Sequence, residues 1–178
     1  MELKSSVMDS DSVARSMARI THEIIEKNKG TDGLVLLGIR RRGLTLARML
    51  RDNILRFENK EVPMGSIDIS LYRDDLSELS DLPREGTSDI PCDITGKTVI
   101  IVDDVIYTGR TARAAIDAVF HHGRPRWIQL AVLIDRGHRE LPIRPDYVGR
   151  NIPTSKAEVV SVKVDEFDGL TGVFLYRL

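Results

Sequence analysis

Asp103 and Asp104 stand side by side after an apolar run in VIIVDDVIYTGRT (99–111), and Thr108, Gly109, Arg110 and Thr111 follow closely. Two hydroxyls, a glycine and a guanidinium at the start of a helix make an anion site, because the first turn of a helix has unpaired N–H groups and partial positive charge. Paired carboxylates repel a bare anion, yet they accept hydrogen bonds from hydroxyls and hold cation-bound waters. A ligand with a phosphate at one end and a vicinal diol at the other satisfies both halves, and ribose 5-phosphate is such a ligand. The stretch is not a P-loop, which needs G-x-x-x-x-G-K-[ST], nor a dinucleotide fingerprint, which needs G-x-G-x-x-G after its strand. Two other readings place the acids as caps of the turn or as the acidic pair of a response-regulator receiver. A receiver has its pair at the first strand and no Thr-Gly-Arg-Thr behind it.

These residues must be held by a frame, and hydrophobic spacing outlines one. Val13, Met17, Ile20 and Ile24 recur at helical steps, with Asp and Ser before them and Gly30 after, so a helix is expected over 11–28. LVLLGI (34–39) reads as a buried strand, and Ala47, Leu50, Ile54 and Phe57 continue a helix from Gly43 to Phe57. Ile67, Ile69 and Leu71 alternate with polar residues as a half-buried strand does. Residues 73–93 keep no period and contain Pro83, Gly86 and Pro91, so a long loop is expected, read as a lid. KTVIIVDD predicts a strand, 111–121 a helix, and RWIQLAVLID another strand. Val160, Val162 and Val164 and then DGLTGVFLYRL suggest further short strands, antiparallel in character. Alternating strands and helices imply an α/β fold with a mostly parallel sheet and helices on both faces, whose ligands sit beyond the carboxyl ends of the strands.

Composition bounds the function. At 178 residues a single domain (1–178) is expected, and 42% hydrophobic with 30% charged residues is normal for a globular protein. No segment offers the roughly 20 apolar residues of a membrane span. The N-terminal MELKSSVMDSDS has acids where a signal peptide would be apolar, and the single Cys92 cannot form an intrachain disulfide, so a cytoplasmic protein without membrane contact is expected. Net charge is −1, which argues against nucleic-acid binding through overall charge, but the charges are unevenly spread. Asp68 to Asp93 contains eight acids against Arg73 and Arg84, whereas Arg136 to Lys156 contains five bases against Glu140 and Asp146. A near-neutral total can hide a basic face.

VIIVDDVIYTGRT resembles the signature of type I phosphoribosyltransferases, which bind 5-phosphoribosyl 1-pyrophosphate (PRPP). RITHEIIEKNKG, DISLYRDDL and QLAVLIDRGHRELPIRPDYVGRNIPTSK extend the resemblance over nearly the whole chain, to the PyrR family of pyrimidine-operon attenuation regulators and uracil phosphoribosyltransferases. The resemblance implies the type I phosphoribosyltransferase fold with a small hood. It implies that Asp103 and Asp104 hold the ribose hydroxyls and that the run Val105, Ile106, Tyr107, Thr108, Gly109, Arg110 and Thr111 carries the 5-phosphate. GIRRRG (38–43) is similar to the family's pyrophosphate loop, so Arg40 and Arg41 are assigned to PRPP, although relatives usually carry Thr where Arg41 stands. Arg73, in the lid, is the candidate for contacting pyrophosphate on closure. Residues 136–165 are similar to the hood over the base in hypoxanthine-guanine phosphoribosyltransferases, with Arg136 in place of a base-contacting Lys and backbone groups of Val159 or Val160 reaching the base. Asp165 matches a carboxylate near Mg²⁺, through water. Displacement at the anomeric carbon passes through an oxocarbenium-like state, so positioning, leaving-group stabilisation and water exclusion are the tasks, and no protein nucleophile is needed.

The same resemblance implies that Arg19, His22 and Lys27 join His138, Arg139, Arg144 and Arg150 in a basic surface for a leader mRNA hairpin, strengthened by UMP. By helical spacing alone, Arg15, Arg19, His22 and Glu26 form an ordinary solvated face, and Ala18 stands where the family has a hydroxyl. A homo-oligomer, dimer or tetramer, is also implied. The remaining alternatives are a purine-type (hypoxanthine-guanine) transferase without RNA binding and a catalytically silent RNA-binding regulator.

Overall fold

The computed structural model describes residues 1–74 and 87–178, so the centre of the expected lid lies outside the described residues. Strand β1 (Glu2–Met8) leads into helix α1 (Ser10–Lys27), strand β2 (Leu34–Ile39) and helix α2 (Arg42–Glu58). Strands β3 (Met64–Ile67) and β4 (Thr98–Ile106) precede helix α3 (Arg110–His122). Strands β5 (Trp127–Asp135), β6 (Tyr147–Asn151) and β7 (Glu158–Lys163), the short helix α4 (Asp165–Asp168) and strand β8 (Gly172–Arg177) complete the order.

A five-stranded parallel sheet runs β3-β2-β4-β5-β6. Alternation along its strands feeds two cores. Leu34, Leu36, Ile100 and Val102 pack with α1 and α2 through Val13, Met17, Ile20, Leu46 and Leu50. Val35, Leu37, Val99 and Ile101 pack with Ala112, Ala115, Ala118 and Val119 of α3. Both faces of β2 are therefore covered, which is why LVLLGI is apolar at every position but its glycine. Chain order reverses between β2 and β4: the first crossover runs outward to β3 and the next returns past β2. In parallel sheets the crevice for a ligand opens at that reversal, beyond the carboxyl ends of the two strands. Here it lies between the GIRRRG loop and Asp103.

Glycines let these two loops meet. A Cβ on Gly43 would stand 2.4 Å from the Val102 carbonyl oxygen, and one on Gly38 would stand 2.5 Å from the Leu44 Cα. Helix α2 thus starts directly against the end of β4.

A second, antiparallel sheet, β1-β8-β7, forms the hood. Its outer strands are tied by the Lys4–Glu158 ion pair, and that lysine, helped by the Ser155 N–H, holds the Glu158 carboxyl down to about 2. No helix among the described residues is long and apolar enough to cross a membrane.

Three expectations shift. Alternation predicts a strand through Leu71, but β3 ends at Ile67 because the Asp68 carboxylate accepts from both the N–H and the hydroxyl of Ser70, folding a local turn. Residues 87–90, expected in the loop, include Asp89, which exchanges two backbone hydrogen bonds with Ser66. Strands β1 and β6 form without a periodic signal. β6 is ordered from outside, by pairing with β5 and by the Tyr147 hydroxyl, which donates to Gln129 and accepts from Asn28 at the end of α1.

Candidate functional site

Strand β4 delivers the two carboxylates and α3 begins four residues after Ile106, with Gly109 at its N-cap in the left-handed region (φ 93°). Such a φ costs any residue with a Cβ, so this position favours glycine. The Thr108 hydroxyl accepts from the Arg110 N–H, and the following amides of α3 face the turn as an anion site requires.

Asp103 shares a small cleft of about 120 Å³ with Tyr107, Thr108, Gly109 and Thr111. Asp104 does not join it. Strand alternation turns Asp104 to the other face, where it lines a cleft of about 510 Å³ with Arg42, Val159, Val160, Val162 and Tyr176 under the hood. Each carboxylate accepts through Oδ1 from the N–H of the next residue, 2.9 Å for Asp103 and 2.8 Å for Asp104. Burial first, and the neighbouring Asp104 charge second, push the Asp103 carboxyl well above the usual carboxylate range.

That strain is testable. An Asp whose native pKa is raised binds its proton more tightly folded than unfolded. Stability is therefore whole below the unfolded value and is lost as pH rises through the raised native value. Asp103→Asn is expected to match the parent near pH 4 and to melt about 2 to 4 °C higher at pH 7.5, the shift that roughly 1 kcal/mol gives a chain of this size. Melting curves at the two pH values check it; an identical difference at both would mean that ionisation is not the cause.

Arg73 borders the phosphate turn, in a cleft of about 260 Å³ with Asp74, Thr108, Arg110, Thr111 and Glu140. Arg110 is held by two acids, Asp74 at 2.6 Å and Glu140 at 2.8 Å, which raise its pKa. In the GIRRRG loop Arg40 is tethered to the Ser66 hydroxyl at 3.1 Å, while the Arg41 side chain has no hydrogen bond or ion pair with a described residue. The Arg40–Arg41 peptide is cis.

Arg136, at the start of the stretch 136–165 expected to form the hood, instead follows directly on β5 of the parallel sheet, as β6 in the same stretch belongs to that sheet, and it is buried. Its guanidinium lies 4.0 Å from the Tyr107 ring centroid, donates from Nη2 to the Glu158 carbonyl at 2.7 Å and from Nε to the Thr154 hydroxyl at 3.2 Å. Nη1 has no hydrogen-bond partner among the described residues. Asp165, assigned to the metal, is exposed at the start of α4, and no group of three or more His, Cys, Asp or Glu side chains gathers for a metal among the described residues.

Sequence reasoning missed an acidic clamp. Asp168 accepts from Arg42 through both carboxylate oxygens and also from the Val164 N–H; Glu166 accepts from Thr45 and Arg48. These contacts fasten α4 to the first turns of α2, and so fasten the hood to the GIRRRG loop. Partners more than a hundred residues apart leave no local pattern to read.

The seven expected RNA contacts are not one open patch. Arg19 donates to the Val148 and Gly149 carbonyls and pairs with Glu23, Lys27 pairs with Asp146, and His22 stacks on Phe57. Arg150 donates to the Val7 carbonyl and borders a cleft of about 450 Å³ with Arg15 and Arg19. His138, Arg139 and Arg144 border another, of about 650 Å³, on the far side of β6. Arg139 is committed to its own loop, donating to the Ile143 and Tyr107 carbonyls at 2.8 Å each and to Asp135 at 2.5 Å. His138 meets the Thr154 carbonyl oxygen. Arg144 alone of the seven has neither a hydrogen bond nor an ion or ring contact with a described residue.

Residues 5–166 match the model of the phosphoribosyl transferase domain family. The chain is 57% identical over 177 residues to a bifunctional protein PyrR of Clostridium perfringens, covering 99% of both. It is 56% identical over 177 residues to that of Thermus thermophilus, covering 99% of this chain and 98% of the other. Among solved structures, the hypoxanthine phosphoribosyltransferase of Trypanosoma cruzi bound to IMP superposes with a TM-score of 0.75 at 21% identity, over 99% of this chain and 92% of that one. A hypoxanthine-guanine phosphoribosyltransferase of Bacillus anthracis gives 0.72 at 20% identity over the full length of both.

Proposed function

The chain belongs to the PyrR family of phosphoribosyl transferase domain proteins, and we propose that it transfers the phosphoribosyl group of PRPP to uracil and binds a pyrimidine-operon leader RNA in a UMP-dependent way. The observation that carries this reading is identity of 56% or more along essentially the whole chain to proteins named bifunctional PyrR. The likeness to purine enzymes, at 20 to 21% identity, is a likeness of fold.

The geometry supports the division of labour. The turn 108–111 receives the 5-phosphate through α3 amides and hydroxyls, and Asp103 Oδ2 accepts from a ribose hydroxyl in the same cleft. Asp104 works from the hood side, in the cleft it shares with Val160, while Arg136 borders the neighbouring cleft of about 650 Å³ and approaches the base from there. Arg73, Arg40 and Arg41 receive pyrophosphate. In the reaction the uracil N1–C1′ bond forms, the C1′–O bond to pyrophosphate breaks, and the N1 proton is released. Mg²⁺ carried in on PRPP would neutralise the departing oxygens, and separate carboxylates such as Asp103, Asp104 and Asp165, holding it through waters, suit an ion that arrives with its substrate. The RNA side is supported by the basic stretch 136–156 and by Arg144, whose guanidinium is open to a phosphate. Such a regulator works in the cytoplasm, beside nascent transcripts.

Uracil, PRPP and Mg²⁺ should yield UMP and pyrophosphate; transfer to hypoxanthine or guanine in place of uracil would overturn the pyrimidine assignment, and no transfer at all would leave a silent regulator. Titration of a leader hairpin with and without UMP tests the other half, and linkage requires RNA to tighten UMP by the same factor.

A further inference from the structure

The nucleotide site and the basic loop are joined by direct bonds. The Thr108 carbonyl, inside the phosphate turn, accepts from the N–H groups of Glu140 and Leu141 at 2.9 and 3.2 Å. The Tyr107 carbonyl accepts from Arg139 at 2.8 Å. Gly109 is roofed by the same segment: a Cβ there would be 3.5 Å from Leu141 and 3.6 Å from Ile143. Tyr107 itself is flanked by the Arg136 guanidinium and the His138 ring, whose centroids lie 5.7 Å apart in the Tyr–His pair. Loop 138–144 therefore meets the turn through several direct contacts, and a change at the turn reaches it.

One of these contacts has the chemistry of the ligand. Glu140 places a carboxylate oxygen 2.8 Å from Arg110 Nε, at the start of the helix whose N-terminus the 5-phosphate would occupy. Both side chains are about half exposed, with side-chain exposures of 47% and 53%. An ion pair in that setting is weak, so a dianionic phosphate with several oxygens displaces it readily. The Glu140 backbone stays on Thr108 while its side chain loses its anchor.

We propose that Glu140 is an internal stand-in for the nucleotide phosphate, and that its displacement from Arg110 by UMP releases loop 138–144 to the form RNA selects. The inference rests on the reading of the chain as a UMP-dependent RNA binder and adds how the two ligands are coupled. Two arrangements of one element, biased from both sides, are what linkage demands. The sign follows from competition: whatever removes the carboxylate favours the released loop, whether UMP or substitution. Asp74 also holds Arg110, but it belongs to the start of the lid and not to the RNA loop, so it tunes nucleotide entry rather than the coupling.

The test is a thermodynamic square on the full chain, with UMP and a leader hairpin as probes, comparing the parent with Glu140→Gln. The parent's RNA affinity should rise several-fold with UMP. Glu140→Gln should bind RNA without UMP about as tightly as the parent does with it, show a UMP effect within twofold of none, and bind UMP about threefold tighter. A variant that keeps the parent's full UMP effect would overturn the proposal, as would one that loses RNA binding in both states. If the parent binds no RNA, or binds it equally with and without UMP, the regulatory reading itself fails; that result is distinct from a coupled parent with an unchanged variant. Uracil transfer by the variant, measured alongside, should show a KM for PRPP lowered by a factor similar to that for UMP, since PRPP presents the same 5-phosphate to Arg110.

Discussion

Arg139→Ala is expected to lower the melting temperature by about 6 to 12 °C and to abolish both RNA binding and most uracil transfer. Its guanidinium is four-fifths shielded and joins the Tyr107 carbonyl, the Ile143 carbonyl and Asp135, whose other oxygen accepts from the Gly137 N–H. Truncation strands those acceptors, a loss of about 3 kcal/mol for charge-assisted bonds, which in a chain of this length is worth roughly 2 to 4 °C per kcal/mol. Arg144→Ala is the contrast. With no hydrogen bond or ion pair to a described residue to lose, it should change stability by less than about 0.5 kcal/mol and leave UMP formation intact. It should weaken RNA and reduce the salt slope of binding by about 1, as loss of one phosphate contact does. Melting curves, UMP assays and salt titrations on the two variants separate the roles; an Arg139 variant with parental stability and turnover would refute the bracing role.

The second large effect is at the turn. Gly109→Val is expected to cut uracil transfer by about 10² to 10³ while the far-ultraviolet dichroism stays parental, because a φ of 93° is strained for any β-branched residue and the α3 amides then lose their aim. The added methyls also meet Leu141 and Ile143. Loss should fall on the PRPP steps, read as a raised KM for PRPP together with a lowered kcat. A variant retaining more than a tenth of parental kcat/KM would show that the turn tolerates another backbone geometry.

Much of this was legible in the residues. The frame of β2, α2, β4, α3 and β5 follows from local spacing, since each buries a face whose period the sequence displays. The anion turn was readable for the same reason: its chemistry is contiguous. Strand β6 was not, because YVGRN has little hydrophobic pattern and is ordered by β5 and by the Tyr147 network. The division of Asp103 and Asp104 between two clefts needed the strand's facing, which adjacency in sequence hides. The state of the arginines was the least legible. Arg139 and Arg144 look alike in DRGHRELPIR, yet one braces the loop and the other is open, a difference set by carbonyls that any sequence possesses.

The hood has a consequence for the order of assembly. Its central strand is β8, whose partner on one side is β1, so that Glu2 pairs with Arg177, and closing that pair spans nearly all the intervening chain. The pairs of the parallel sheet close shorter stretches of chain, the longest being β2 with β4, Leu34 beside Thr98. Contacts of such long separation repay their loop-closure entropy last during folding, and by the same balance they are among the first to open. The phosphate turn belongs to the early-forming sheet, whereas the hood, though its β7–β8 pair is local, is completed only by the distant β1; on the proposed reading, a hood that breathes open leaves a half-site that still holds a sugar phosphate but no longer tells one base from another.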